Sequence, residues 1–107
     1  MTGFVESIRS RPKFEHCGRI IRAGNEMVVF IDAVGRFSLP VRMLTATLLG
    51  LGESRVSGPV PGCARLSDSG RGIYLDIGDE SYAIPASRVK AVLCGEQRKG
   101  PVSRVVS

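Results

Sequence analysis

The sequence predicts an all-β, or β-rich α+β, fold: two tandem β-meanders packed as a pseudo-twofold barrel or sandwich in one small domain. Three observations carry this. The stretch Phe37–Gly50, FSLPVRMLTATLLG, returns as Tyr82–Gly95, YAIPASRVKAVLCG, with proline and glycine at matching places. Upstream of each copy, short β-branched and aromatic runs alternate with Gly, Asn and Asp turn signals, the pattern of strands joined by tight turns. Finally, 107 residues with 43% hydrophobic content match the common size of a single folding unit.

Extended upstream, Cys17–Gly50 aligns with Cys63–Gly95 once one residue is dropped. The alignment pairs Cys17 with Cys63, Arg19 with Arg65, Gly24 with Gly70 and Ile31 with Ile77; past the gap it pairs Pro40 with Pro85, Ala46 with Ala91, Leu48 with Leu93 and Gly50 with Gly95. A fixed internal period speaks for architecture before any local feature does. The chain then divides into an irregular basic N-terminal segment at 1–13, a single β domain at 14–95 and a basic flexible tail at 96–107. Within the domain, repeat one is 17–50, the connector 51–62 and repeat two 63–95.

In order, the first segment ends at Pro12, which disfavours helix in the residue before it. CGRII, the turn Ala23-Gly24-Asn25 and the run MVVFI then read as a hairpin. A second turn at Asp32–Gly35 leads to RFSL, and Pro40, lacking a ladder donor, marks the strand end. In copy two, Ile73, Leu75 and Ile77 alternate with Tyr74 and Asp76, so that strand has one dry face and one wet face. Its counterpart Met27–Ile31 carries Val28 and Phe30 on the second face, which therefore needs a cover: the other copy, the N-terminal segment or a second chain.

The segments 41–49 and 86–94 fit two patterns. As helices they bring Leu44 with Leu48, and Val89 with Val92 and Leu93, onto one side, each closed by a glycine. As a turn followed by a strand they alternate. The strand reading is preferred, because about nine residues is short for a helix and β-branched residues are frequent. The connector reads as a spacer with a brief edge strand at Arg55–Val56, and Val105 and Val106 as an optional edge strand of the tail.

Little in the chain supports catalysis. His16 is the one histidine and adjoins Cys17, but strand neighbours point to opposite faces. Three cysteines, without CxxC spacing or a histidine pair, give neither a metal site nor a disulfide framework. Gly70-Arg71-Gly72 reads as a hairpin turn and Asp79-Glu80 as solvated loop. No cofactor or metal is expected, and the chain is not expected to be an enzyme. The first residues carry charge and lack an apolar segment, so a cytoplasmic location is expected, with no membrane contact.

Two functional expectations follow. The first is a non-catalytic interaction module that docks a protein partner or itself, as a homodimer for instance, through Val28 and Phe30. The second is nucleic-acid binding, mainly to phosphate, through Arg9, Arg11, Lys13, Arg98, Lys99 and Arg104, with Arg19 and Arg65 as helpers. It rests on fifteen basic against ten acidic side chains, a net charge of +5. The duplication also places Cys17 with Arg19, and Cys63 with Arg65, as paired surface patches in which an arginine beside a thiol would favour thiolate.

Overall fold

The computed structural model describes residues 13–106; Arg9, Arg11 and most of the N-terminal basic segment lie outside these residues. The first hairpin forms where the turn residues predict it. Lys13–Ala23 (β1) and Glu26–Ile31 (β2) are joined at Gly24-Asn25, with Gly24 at φ 64°, a conformation cheap only for glycine. Gly35–Pro40 (β3) completes the first meander and Val41–Leu48 is a helix (α1). After the short strand Ser54–Val56 (β4), the second meander comprises Gly62–Leu66 (β5), Gly72–Ile77 (β6) and Glu80–Pro85 (β7). The helix Ala86–Leu93 (α2) and the strand Lys99–Val106 (β8) end the chain.

All eight strands join one antiparallel sheet in the order β3-β2-β1-β8-β7-β6-β5-β4. Its ends nearly meet. The backbone N–H of Ser38 donates to the Ser57 carbonyl, and that of Ser57 to the Ser38 carbonyl, at 2.8 Å each. The connector makes this closure. A β-carbon on Gly58 would overlap the Phe37 ring, and one on Gly35 would lie 3.0 Å from Pro59, so glycine lets the chain lie flat across the seam while proline blunts the exposed edge. One hydrophobic cluster fills the interior, uniting Met27, Val29 and Phe37 with Ile73, Leu75 and Ile84. The predicted alternation stands in β6 and β7: Ile73, Leu75, Ile77, Tyr82 and Ile84 are buried, whereas Tyr74, Asp76, Ser81 and Ala83 face outward.

Two expectations are corrected. Residues 41–48 and 86–93 are helices, not turn and strand. A short helix draws its stability from packing rather than propensity, and both ends of each are tied. Pro40 and Pro85 stand at the N-caps, the next backbone N–H donates to a hairpin carbonyl (Val41 to Asn25, Ala86 to Arg71, both 2.8 Å), and Gly50 and Gly95 adopt φ 76° and 79°. The C-terminal bonds Leu51 N–H to Ala46 and Gly50 N–H to Thr47, mirrored by Glu96 to Ala91 and Gly95 to Val92, are the paired bonds of a Schellman cap.

The second correction concerns the C-terminus. In place of a flexible tail, β8 lies in the middle of the sheet, paired with β1 from Lys99 to Val106 and with β7 at Ser103 and Arg104. It joins the two meanders. Gly100 is what admits it: a β-carbon there would sit 3.2 Å from Ile20 Cγ1 and 3.4 Å from Arg88 Cβ, so α2 and β1 both close on this strand. Among the described residues, no helix is long and apolar enough to cross a membrane.

Candidate functional site

The outer face of β1 and β8 carries a concavity of about 440 Å³ lined by His16, Arg19, Asp32, Arg88, Lys99 and Pro101 together with Gly18 and Gly100. Three cations, Arg19, Arg88 and Lys99, share its wall with one carboxylate, Asp32. Their convergence is a product of the fold: Arg19 stands opposite Pro101 across the β1–β8 ladder, Lys99 starts β8, and Arg88 comes from α2 over Gly100. Arg88 is steadied by donating from Nη1 to Gln97 Oε1 at 3.1 Å. Arg19 has a second contact, its guanidinium carbon lying 4.6 Å from the centroid of the Phe30 ring, its cross-strand neighbour. Arg36 faces Phe30 from the other side in the β2–β3 ladder. An arginine held flat on an aromatic ring keeps its charge and gains position from the ring quadrupole.

Four strands away the arrangement recurs with different surroundings. Arg65 lies 4.7 Å from the Tyr74 centroid and donates from Nε to Asp76 Oδ2 at 2.7 Å. Ser81 Oγ donates to the other oxygen, Oδ1, at 2.8 Å. Burial pushes the Asp76 carboxyl upward, but the Arg65 and Ser81 hydrogen bonds and the Arg65 charge outweigh it and hold the group below its ordinary value. Next to Tyr74 the sheet surface is floored by small residues, Ala83 on β7 and Ser103 on β8, which are neighbours in one cross-strand row. A groove of about 330 Å³ lies over them, bounded by Phe14 on β1 and by Ser67, Ser69 and Arg71 of the β5–β6 loop.

The residues singled out in the sequence fall as follows. Lys99 belongs to the basic concavity, and Arg98 lines an adjoining hollow with Arg22 beside the end of α2. Arg22 is committed elsewhere, its Nη1 donating to the Leu93 carbonyl at 2.6 Å where the helix dipole favours a cation. Lys13 and Arg104 lie at the opposite end of β8 from Lys99, and Arg104 is paired with Glu15 at 3.3 Å. Among the described residues, the predicted cations therefore do not form one patch. Arg19, read from the sequence both as a neighbour of Cys17 and as a helper of the phosphate contacts, lines this concavity with Lys99, whereas Arg88, Arg36, Phe14 and Tyr74 were not singled out as contacts.

Val28 is 1% exposed and offers no free surface to a partner, while Phe30 is half-buried beneath Arg19. The Cys/Arg patches do not form a matched pair. Gly18 faces Ile31 and Gly62 faces Ile77, so counted from the ends of β2 and β6, Cys63 takes the ladder place of Arg19 rather than of Cys17. The displacement arises in the hairpins: Ala23 pairs directly with Glu26 around two residues, whereas Leu66 pairs with Ile73 around a longer loop closed by Ser67 N–H to the Gly72 carbonyl. A bulge between His16 and Gly18 further turns Cys17 against the core, leaving Arg19 outside. Burial, with the charge of Asp32, raises the Cys17 thiol above its ordinary value, the opposite of an activated thiolate. Cys63 and Cys94 are exposed and all three thiols are free.

Among the described residues, no cluster of His, Cys, Asp and Glu could hold a metal ion. The surface carries exposed cations, hydroxyls and outward-facing aromatics on one sheet. Compared with known proteins, the chain matches no family model, no curated sequence and no solved structure.

Proposed function

We propose that this chain is a non-catalytic binding module for single-stranded nucleic acid, with the outer face of β1 and β8 as its contact surface. The observation that carries the proposal is the concavity in which Arg19, Arg88 and Lys99 meet beside the Arg19–Phe30 stack. Cations attract the phosphates of a strand, and stacked aromatic and guanidinium planes accept bases of any identity. The net charge of +5 adds to the attraction at longer range. Two aromatics stand where a base could reach them: Phe14 is 56% exposed and Phe30 is half-buried.

The test is fluorescence anisotropy of a short labelled single strand of mixed sequence, titrated at several salt concentrations. Binding through the three cations gives a log–log salt slope of about −2. The variant Arg19→Ala/Lys99→Ala should weaken binding at least tenfold and flatten that slope. Absence of binding at low salt rejects the proposal.

A second reading, docking of a protein partner, has its own observation. Met43 in the first turn of α1, and Leu49 and Leu51 just beyond its C-terminus, are 39%, 70% and 76% exposed. Light scattering across a concentration series checks the self-association form, since a constant monomer mass excludes it.

A further inference from the structure

The groove over Ala83 and Ser103 is not needed for phosphate attraction, and its composition differs from that of the basic concavity. We infer that it is a base-binding subsite, a slot for one nucleobase with its phosphate toward Arg71; this rests on the nucleic-acid reading above and extends it.

Shape comes first. Phe14 on β1 and Tyr74 on β6 are separated by β8 and β7, about 14 Å of sheet at roughly 4.8 Å per strand. Between them Ala83 and Ser103 rise little above the backbone, leaving a flat-floored slot with an aromatic side chain on either side. At about 330 Å³ the slot has the size of a small-molecule site, and its lining, apolar apart from a few convergent polar groups, is of the usual kind. Phe14 is more than half exposed, so its ring is open to a planar group.

The polar groups suit a base and its phosphate. Ser103 on the floor supplies a hydroxyl that can donate or accept, while Ser69 at the rim is held by the Arg71 N–H and the Ser67 hydroxyl. Arg71 is exposed at the loop end of the slot, and its side chain makes no ion pair among the described residues, so its charge is free for phosphate. Arg65 is not free in this way, being held by Asp76. Tyr74 is thus fixed from behind while its remaining surface faces the slot.

The slot is also continuous with the basic concavity. Phe14 and His16 are alternate residues of β1, and Ser103 and Pro101 alternate residues of β8, each pair contributing one member to either hollow. A strand lying across Arg19 and Lys99 therefore enters the slot one residue step further along the same face.

Two sources of this chemistry exist, a base of a bound strand and a free nucleoside monophosphate, and the experiment separates them. The chain has no tryptophan and two tyrosines, of which Tyr82 is 3% exposed, so tyrosine fluorescence in a Tyr82→Phe background reports Tyr74 alone. Each ligand is titrated into that protein and into the same protein carrying Ala83→Leu, which fills the floor from outside the core, or Arg71→Ser. Saturable quenching by the monophosphate, lost with Ala83→Leu and weakened several-fold with Arg71→Ser, supports a free-nucleotide site. Quenching by the oligonucleotide alone, with the same response to the variants, supports a base of a bound strand. Quenching by neither ligand, or quenching indifferent to Ala83→Leu, overturns the inference. An oligonucleotide that still binds by anisotropy in that case leaves the basic concavity standing, so the two failures are distinguishable.

Discussion

Asp76 shows how single residues of this surface are fixed by their neighbours. Its carboxylate accepts from Arg65 and Ser81, and its lowered folded value links stability to pH. A depressed carboxyl contributes stability fully present above its unfolded value, near 4, and lost as pH falls from there through the folded value. The variant Asp76→Asn should therefore be less stable than wild type at pH 7, with the difference in urea midpoints vanishing in acid below about pH 4. Cys17 supplies a second check. Half-buried and with its thiol raised, it should label with a maleimide at least tenfold more slowly than the exposed Cys63 and Cys94 at neutral pH. Equal rates would mean that the bulge does not turn it inward. The outward face of Asp76 was legible in the alternation of its strand, but the setting of Cys17 was not, since pairing Cys17 with Cys63 assumed equal hairpins and only the ladders expose the two-residue offset.

Among the elements, strands with a regular period of two were readable because burial on one face writes itself into the residue pattern; Ile73–Ile77 and Tyr82–Ile84 are the clearest cases. The helices were not. Their apolar spacing and closing glycines were visible, but a segment of this length is helical only because Asn25 and Arg71 carbonyls, Schellman caps and the sheet beneath it satisfy both ends. Those are tertiary facts. Gly50→Ala and Gly95→Ala should each cost about 1 kcal/mol in chemical denaturation, through backbone conformation alone. No atom lies within 4 Å of the added carbon at either site, so steric crowding cannot contribute. Unchanged stability in both would contradict the left-handed caps. Likewise β8 was obscured because Gly100 and Pro101 interrupt its apolar pattern, although Gly100 is small for the packing it permits.

At the scale of the whole molecule, β8 unites two meanders that share one core, and the connector brings the ends of the sheet almost together. The seating of β8 creates the candidate site, for Arg19, Arg88 and Lys99 come from β1, α2 and β8 and come together only when the C-terminal strand is in place. The sequence indicated an excess of positive charge and assigned it to the chain ends; it did not indicate the convergence, which depends on a ladder register and on a helix that the residue pattern left ambiguous. The most direct measurement is a nuclear magnetic resonance titration of the isotope-labelled chain with a short single strand. Dose-dependent amide shifts are expected on the outer face, centred on Arg19, Phe30, Lys99 and Gly100. Shifts confined to the α1 end around Leu49 and Leu51, or no shifts at low salt, would contradict this placement.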